Sequence, residues 1–295
     1  MRIVSLLPSA TEIVCALGLT DDLVGVTHEC DHPRAARSKP ALTSSVLEGS
    51  ASSAEIDRHI ARLVHRGSSI YRLDTDRLHA LQPDLVLTQE LCDVCAVSYP
   101  IVERAVRRMD GATQLVSLEP ETLDEVFETI ATVGRLTNQR GQADVLIGRL
   151  RARTRRVSAS VAGRPRRRTL CLEWVDPPYN CGHWTPELVE LAGGEALAAT
   201  PGKPARPIAS QLLQSLHPEV VVVMACGVAL ERSIEEVRQA PQIMSLAAQE
   251  LWVVDGNAYF SRPGPRLVDS VELLAGILHP EAAAAPSGRV AKRLR

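Results

Sequence analysis

Two stretches of this chain echo one another: Leu78-His-Ala-Leu81-Gln-Pro83-Asp84-Leu85-Val-Leu87 and Leu213-Gln-Ser-Leu216-His-Pro218-Glu219-Val220-Val-Val222. Each reads as a helix end, a proline that prevents the helix from continuing, an acid, and a short apolar run of the kind buried in a parallel sheet. A second echo lies upstream of each. Ile3–Leu7 reads as a buried strand ended by Pro8, and Ser9-Ala-Thr-Glu12 reads as a capping box. The helix that follows runs through Ile13, Val14, Ala16 and Leu17 and stops at Gly18. In the second half, Arg168–Trp174 is the strand, Thr185-Pro186-Glu187 starts the helix with an N-cap and an early proline, and Gly193-Gly194 ends it. Strands alternating with helices predict an α/β fold. The doubled pattern predicts two related parallel-sheet α/β lobes, at residues 1–118 and 165–280.

The segment 119–164 is the expected linker. From Leu123 to Val161 it contains no proline, and Val145, Leu146, Leu150 and Val157 fall on one helical face. A single helix over Asn138–Ala162 would run about 37 Å. One long backbone helix is a stiff connection and implies small hinge motion. Residues 281–295, which end in Lys292-Arg293-Leu294-Arg295, read as a flexible basic tail.

Composition removes several classes of function. A net charge of −2 gives no general attraction to nucleic acid or to an anionic membrane. The arginine run between Arg151 and Arg168 carries no interleaved aromatics and no reading motif, so it is a solvated helix face and linker. No apolar run is long enough to span a bilayer. The strand pattern starts directly after Met1, with no leader, which predicts a cytoplasmic protein whose seven cysteines are reduced thiols. There is no G-x-S-x-G elbow, no G-x-x-x-x-G-K and no G-x-G-x-x-G, and no hydrolytic constellation stands out. The expectation is therefore of a protein that is not an enzyme.

In such lobes ligands bind beyond the carboxyl ends of the strands. Those loops hold Pro8-Ser9 at a helix N-terminus, whose free amides suit a polar acceptor. They also hold Thr27-His28-Glu29-Cys30-Asp31-His32, Gln89–Cys95, Glu173–Trp184, Ala225-Cys226-Gly227 and Asn257–Arg266. The chain has only three Trp, four Tyr and two Phe. Trp174, Tyr179 and Trp184 lie in one of these loops, and Tyr259 and Phe260 in another. Aromatics placed in loops on a rigid scaffold read as a ligand wall. Arg262 and Arg266 flank a Pro-Gly-Pro turn, either to grip an anion or to brace the turn.

Cysteine and histidine invite a metal reading. His28-x-Cys30-x-His32 would set alternate side chains on one side of an extended segment, and Cys92-x-x-Cys95 and Cys181-x-His183 add four more candidate ligands. The set suits zinc, iron or an iron–sulfur cluster by type, although no zinc-finger or ferredoxin spacing is present. Ordinary pocket thiols and a redox pair at Cys92/Cys95 are the other readings. Cys15, Cys171 and Trp252 read as core, and His59, His65 and His79 as exposed.

Ser5-Leu-Leu-Pro8-Ser9-Ala-Thr11-Glu12, Leu17-Gly18-Leu, Val24-Gly25-Val26-Thr27, Leu81-x-Pro83-Asp84-Leu85-Val86 and Tyr259-Phe260 with Pro265-Arg266 resemble the cobalamin-type, helical-backbone (class III) periplasmic binding proteins. The resemblance runs from residue 2 to about residue 280 and is to a leaderless, Cys-rich branch. It implies two lobes on a backbone helix that sandwich a flat ligand: cobalamin or another corrinoid, or a related metal chelate. By position it implies Trp174, Tyr179, Trp184, Tyr259 and Phe260 as aromatic walls. His28, Glu29 and His32 lie where the family places another wall. The expected role is cytosolic storage of the corrinoid or its handover to a partner protein. The alternatives are a metal-dependent enzyme or metal chaperone, and an ABC-importer receptor whose start lies upstream.

Overall fold

The computed structural model describes residues 1–46, 52–65, 70–90, 97–109 and 112–295. Two compact units emerge. The first comprises Met1–Ala51, Glu55–Glu119 and Phe127–Ile147, and the second comprises Ser52–Ala54, Pro120–Val126 and Gly148–Arg295.

The first part of the chain contains β1 (Ile3–Ser5), α1 (Pro8–Ala16), β2 (Leu23–Val26), β3 (Thr43–Ser45), α2 (Ser53–His65), β4 (Tyr71–Leu73), α3 (Thr75–Leu81), β5 (Leu85–Thr88), α4 (Tyr99–Val106) and β6 (Gln114–Ser117). Then come α5 (Leu123–Leu136) and α6 (Arg140–Val161). The remainder contains β7 (Arg167–Trp174), β8 (Tyr179–Asn180), α7 (Thr185–Leu191), β9 (Gly194–Ala196), α8 (Ser210–Ser215), β10 (Val220–Val223), α9 (Leu230–Arg238), α10 (Pro241–Met244), β11 (Glu250–Val254), α11 (Gly256–Tyr259), α12 (Leu267–Leu278) and β12 (Ala291–Arg293).

The sheets repeat one topology. In the first unit the order is β2-β1-β5-β6, with every neighbour parallel. In the second, β9, β7, β10 and β11 occur in the same order and are again parallel. The strands β5 and β10 are buried at every position, as the apolar runs require. Aliphatic clusters pack against each sheet: Val4, Leu6, Leu42, Leu78 and Val86 in one unit, and Leu170, Leu172, Val221, Val223 and Leu251 in the other.

The echo is built from matching hydrogen bonds. Gln82 and His217, each just before the proline, adopt left-handed φ values of 39° and 45° and end their helices. The next acid turns back to the first strand of its own unit. Asp84 accepts the Arg2 N–H at 2.6 Å, and Glu219 accepts the Arg168 N–H at 2.9 Å. The backbone N–H of each acid bonds in return to Arg2 or Arg168 O at 2.8 Å. The arginine side chains bond Leu81 O (2.8 Å) and Leu216 O. Gly18 (φ 82°) and Gly193 (φ 84°) close α1 and α7 at equivalent places, in a conformation that favours glycine.

The structure corrects several expectations. Ser9 does not cap α1. Pro8 takes the first helical turn with its φ already set, Leu7 becomes the N-cap without a side-chain bond, and Ser9 is buried inside the helix. A true capping box occurs at α5 instead, where Glu125 accepts Thr122 N–H (3.1 Å) and Thr122 Oγ1 accepts Glu125 N–H (3.3 Å). The long helix begins at Arg140, because Asn138 is left-handed (φ 59°), and its 22 residues run about 33 Å. Its buried face is Ala143, Leu150, Thr154, Val157 and Val161, while Val145 is 64% exposed. The tail is not free at its end: β12 pairs antiparallel with β11, so Arg293 stacks beside a half-buried Trp252. Cys15 is half-buried rather than core, and His79 is half-buried with Nε2 3.0 Å from Ala105 O.

The acid clamp at the centre of each unit sets the first prediction. Glu219 is part-buried at its bond and Asp84 is exposed. Glu219→Ala should lower the unfolding free energy by roughly 1–2 kcal/mol, and Asp84→Ala by less than about 1 kcal/mol. Urea midpoints check this, and the opposite ranking would contradict the clamp's role.

Candidate functional site

In the first unit the strand-end loops form a hydroxyl-rich cluster. Thr27 and Thr43 share a hydrogen bond of 2.7 Å, and Thr43 Oγ1 also accepts the His28 N–H at 3.0 Å. His28 Nδ1 lies 2.6 Å from the same oxygen, and its Nε2 lies 3.4 Å from Glu29 Oε1. Both ring nitrogens are therefore engaged. The Tyr71 ring packs against His28 at 5.5 Å, tilted by 59°. Tyr71 is a site aromatic that sequence reasoning missed. It lies on β4, whose pairing with β3 brings it to the loop, and a three-residue strand whose Tyr71 pairs with Ser45, 26 positions away, leaves no local trace. Below this layer Thr11 donates to Ser5 Oγ (2.9 Å) and lies 3.0 Å from the buried Cys30 Sγ.

The alternation expected of His28, Cys30 and His32 is absent. The segment folds into a turn closed by Cys30 N–H on Thr27 O at 3.1 Å, so Cys30 points into the unit while His32 is exposed. The α1 N-terminus keeps Pro8 half-buried and Ser9 buried at the end of β1.

In the second unit the loop after β7 is held on three sides. Trp174 pairs with Tyr179 across β7 and β8, and both rings are half-buried. Residues 202–208 clasp the returning strand through His183 N–H to Lys203 O (2.6 Å), Asn180 N–H to Arg206 O (3.0 Å) and Ile208 N–H to Pro178 O (2.8 Å). The clasp holds His183 at φ 49°, a conformation that costs a non-glycine residue about 1 kcal/mol or more. The His183 ring stacks on Trp184 at 5.6 Å. Trp184 and Phe260 are only 8% and 3% exposed, and the Trp184 indole donates to Phe260 O at 2.9 Å. These two rings thus tie the β7 and β11 loops together inside the unit. Tyr259 turns toward α12: with Val157, Leu273 and Val290 it lines a cavity of about 340 Å³, and the Arg266 guanidinium lies 5.9 Å from its ring. Arg262 is buried, and its backbone carbonyl accepts the Gly264 N–H at 2.8 Å.

The chemistry of the second-unit loop is that of enclosed, neutral groups. Burial raises the Glu173 carboxyl to about 8, and the nearby Cys226 adds to this; the Gly182 N–H (2.9 Å) and the Thr185 hydroxyl pull the other way. Glu173 is therefore mostly protonated at neutral pH. Burial lowers His183, which stays a neutral imidazole. The Trp174 Nε1 and His183 Nδ1 atoms are buried and have no hydrogen-bond partner. Two such atoms in one loop are unusual, since buried polar groups are normally paired.

Among the described residues no group of three or more His, Cys, Asp or Glu side chains is placed to hold a metal ion. His28, Cys30 and His32 in the first unit form no such group, and neither do Cys181 and His183 in the second. Cys92 and Cys95 lie outside the described residues. None of the described helices is long and apolar enough to cross a membrane.

Comparison with known proteins agrees with this architecture. The profile of the periplasmic binding protein family matches residues 3–250. The uncharacterized ABC transporter substrate-binding lipoprotein YvrC of Bacillus subtilis is 23% identical over 288 residues, covering 95% of this chain and 80% of that protein. The vitamin B12-binding protein of Vibrio cholerae is 23% identical over 273 residues, covering 92% of this chain and 86% of its own length. Among solved structures, a periplasmic heme-binding protein from Pseudomonas aeruginosa superposes with a TM-score of 0.73 at 20% identity, over 99% of this chain and 97% of that one. The periplasmic vitamin B12-binding protein BtuF of Vibrio cholerae gives 0.68 at 20% identity, over 94% and 96%. At such identities the structural likeness establishes the fold.

Glu173 gives the second prediction. The folded chain keeps this proton up to a pH of about 8, while the unfolded chain releases it near 4.5. Between those values the unfolded state binds fewer protons, so stability falls as pH rises. Glu173→Gln should remove that decline. Urea midpoints of both proteins across the window test it, and equal slopes would show that Glu173 ionises normally.

Proposed function

The chain belongs to the periplasmic binding protein family, and from that membership we propose that it is an ABC-type substrate-binding protein for a flat metal chelate, of which a corrinoid is the leading candidate. The observation that carries this reading is the pair of buried, unpartnered atoms, Trp174 Nε1 and neutral His183 Nδ1, in the loop at the carboxyl end of β7. An indole N–H suits a carboxylate or amide at the ligand's edge. A neutral imidazole suits a single metal coordination position.

The donor set also favours a chelate over a bare cation. A bare zinc or iron ion needs three or four protein ligands, and no such group occurs among the described residues. A macrocycle supplies its own equatorial donors, so one imidazole suffices. That argument weighs against a metal-cluster enzyme or a metal chaperone. Relatives named for vitamin B12 span most of both chains, which supports a corrinoid. Solved relatives named for heme make heme the competing cargo. Import and cytosolic storage require the same binding step and differ in location, which protease protection of the tagged protein in intact cells decides.

Titration with hydroxocobalamin and with hemin, followed by absorption, tests the reading. Hydroxocobalamin should bind with a spectral shift, and His183→Ala should weaken binding at least roughly tenfold, or about 1.4 kcal/mol. Tighter binding of hemin would change the cargo. Uptake of neither macrocycle would remove the proposal.

A further inference from the structure

Cys171 and Cys181 stand at the base of the loop that carries Trp174 and His183, and the binding role above does not use them. The strands β7 and β8 pair antiparallel with Leu172 opposite Asn180. Continuing that register by one residue on each side sets Cys171 opposite Cys181, on the other face of the ladder. Residues so opposed have Cα atoms about 4.5–5.5 Å apart, within the roughly 4.4–6.8 Å that a disulfide spans. The neighbouring Cys171 thiol, together with burial, raises the Cys181 thiol well above its usual range. Both are free and buried, at 1% and 2% exposure.

We propose that Cys171 and Cys181 form a modification site, a thiol pair that closes to a disulfide and pins the hairpin between β7 and β8. Cys226, on the loop after β10, faces Glu173 instead and remains a thiol. The oxidant is a low-molecular-weight disulfide. The thiolate of one cysteine attacks a sulfur of that disulfide, giving a mixed disulfide and releasing one small thiolate. The thiolate of the second cysteine then attacks the protein sulfur of the mixed disulfide. The Cys171–Cys181 bond forms, the second small thiolate leaves, and the two protons lost by the protein end on the two released thiols. Because both sulfurs are enclosed, the reaction follows opening of the hairpin and is slow in the closed fold. The bond, once formed, keeps Trp174 and His183 on a fixed frame. It persists in an oxidising compartment and is absent in a reducing one.

Cleavage after glutamate separates the three cysteines of this unit: Cys171 falls in 129–173, Cys181 in 174–187 and Cys226 in 220–231. The full chain is treated with oxidised glutathione at mildly alkaline pH, alkylated, digested and weighed. The expected result is peptide 129–173 joined to 174–187 with the loss of two hydrogens, in the wild type and equally in Cys226→Ser. The thermal midpoint should rise by about 5 °C relative to the reduced protein. Cys171→Ser should abolish both effects. Alkylation of all three cysteines after treatment, or a link that includes Cys226, overturns the proposal.

Discussion

The structure depends on one constraint repeated in both units: an acid after a proline must satisfy an amide at the start of a parallel strand. Asp84 reaches the Arg2 N–H and Glu219 reaches the Arg168 N–H. The helix before each proline has to end in a left-handed residue, Gln82 or His217, for the chain to turn into the strand at that height. The bond then sets β5 against β1 and β10 against β7, the central pair of each sheet. With the central pair in register, every other parallel strand has its place, and the carboxyl ends of the strands become the edge from which the loops leave. A parallel sheet cannot be joined by tight hairpins, so helices must return the chain. The functional loops are thereby gathered on one edge of each sheet.

On that edge the two units do different things with similar starting material. The first surrounds His28 with Thr27, Thr43 and Tyr71, sets its Nδ1 against the Thr43 hydroxyl and leaves its Nε2 3.4 Å from Glu29. The second encloses Glu173 and His183 so that neither is charged at neutral pH, and leaves Trp174 Nε1 and His183 Nδ1 without partners. A loop that holds a histidine at positive φ beside unpaired buried polar atoms carries strain and desolvation that a plain packing loop avoids. The proposed binding role accounts for both.

Much of the fold was legible because its signals are local and doubled. The proline-acid-strand echo, the helix-ending glycines and the apolar strand runs each depend on a few adjacent residues. The errors fell where a local signal had a competitor. Ser9 and Glu12 have the spacing of a capping box, yet Pro8 enters the helix first and displaces the cap. His28, Cys30 and His32 alternate only if the chain is extended, and the Thr27–Cys30 turn breaks the alternation. Trp184 and Phe260 read as a wall, and the indole–carbonyl bond that joins them spans 76 residues and leaves no local trace. The basic C-terminus reads as a tail but supplies an antiparallel edge strand to β11.

The sequence by itself determined two parallel-sheet α/β halves, the strand-end loops that carry the chemistry, and membership of a binding-protein family. The halves and their loops follow from periodicity and from proline and glycine placement, whereas the family follows from resemblance to its known members. Only the tertiary structure decided which side chains meet. Tyr71 joins His28 through a strand pairing, Cys171 faces Cys181 through register, and Glu173 keeps its proton because distant segments enclose it. Residue type sets what a group can do, but its protonation and its partners depend on solvent exclusion and distance, which exist only once the chain has folded.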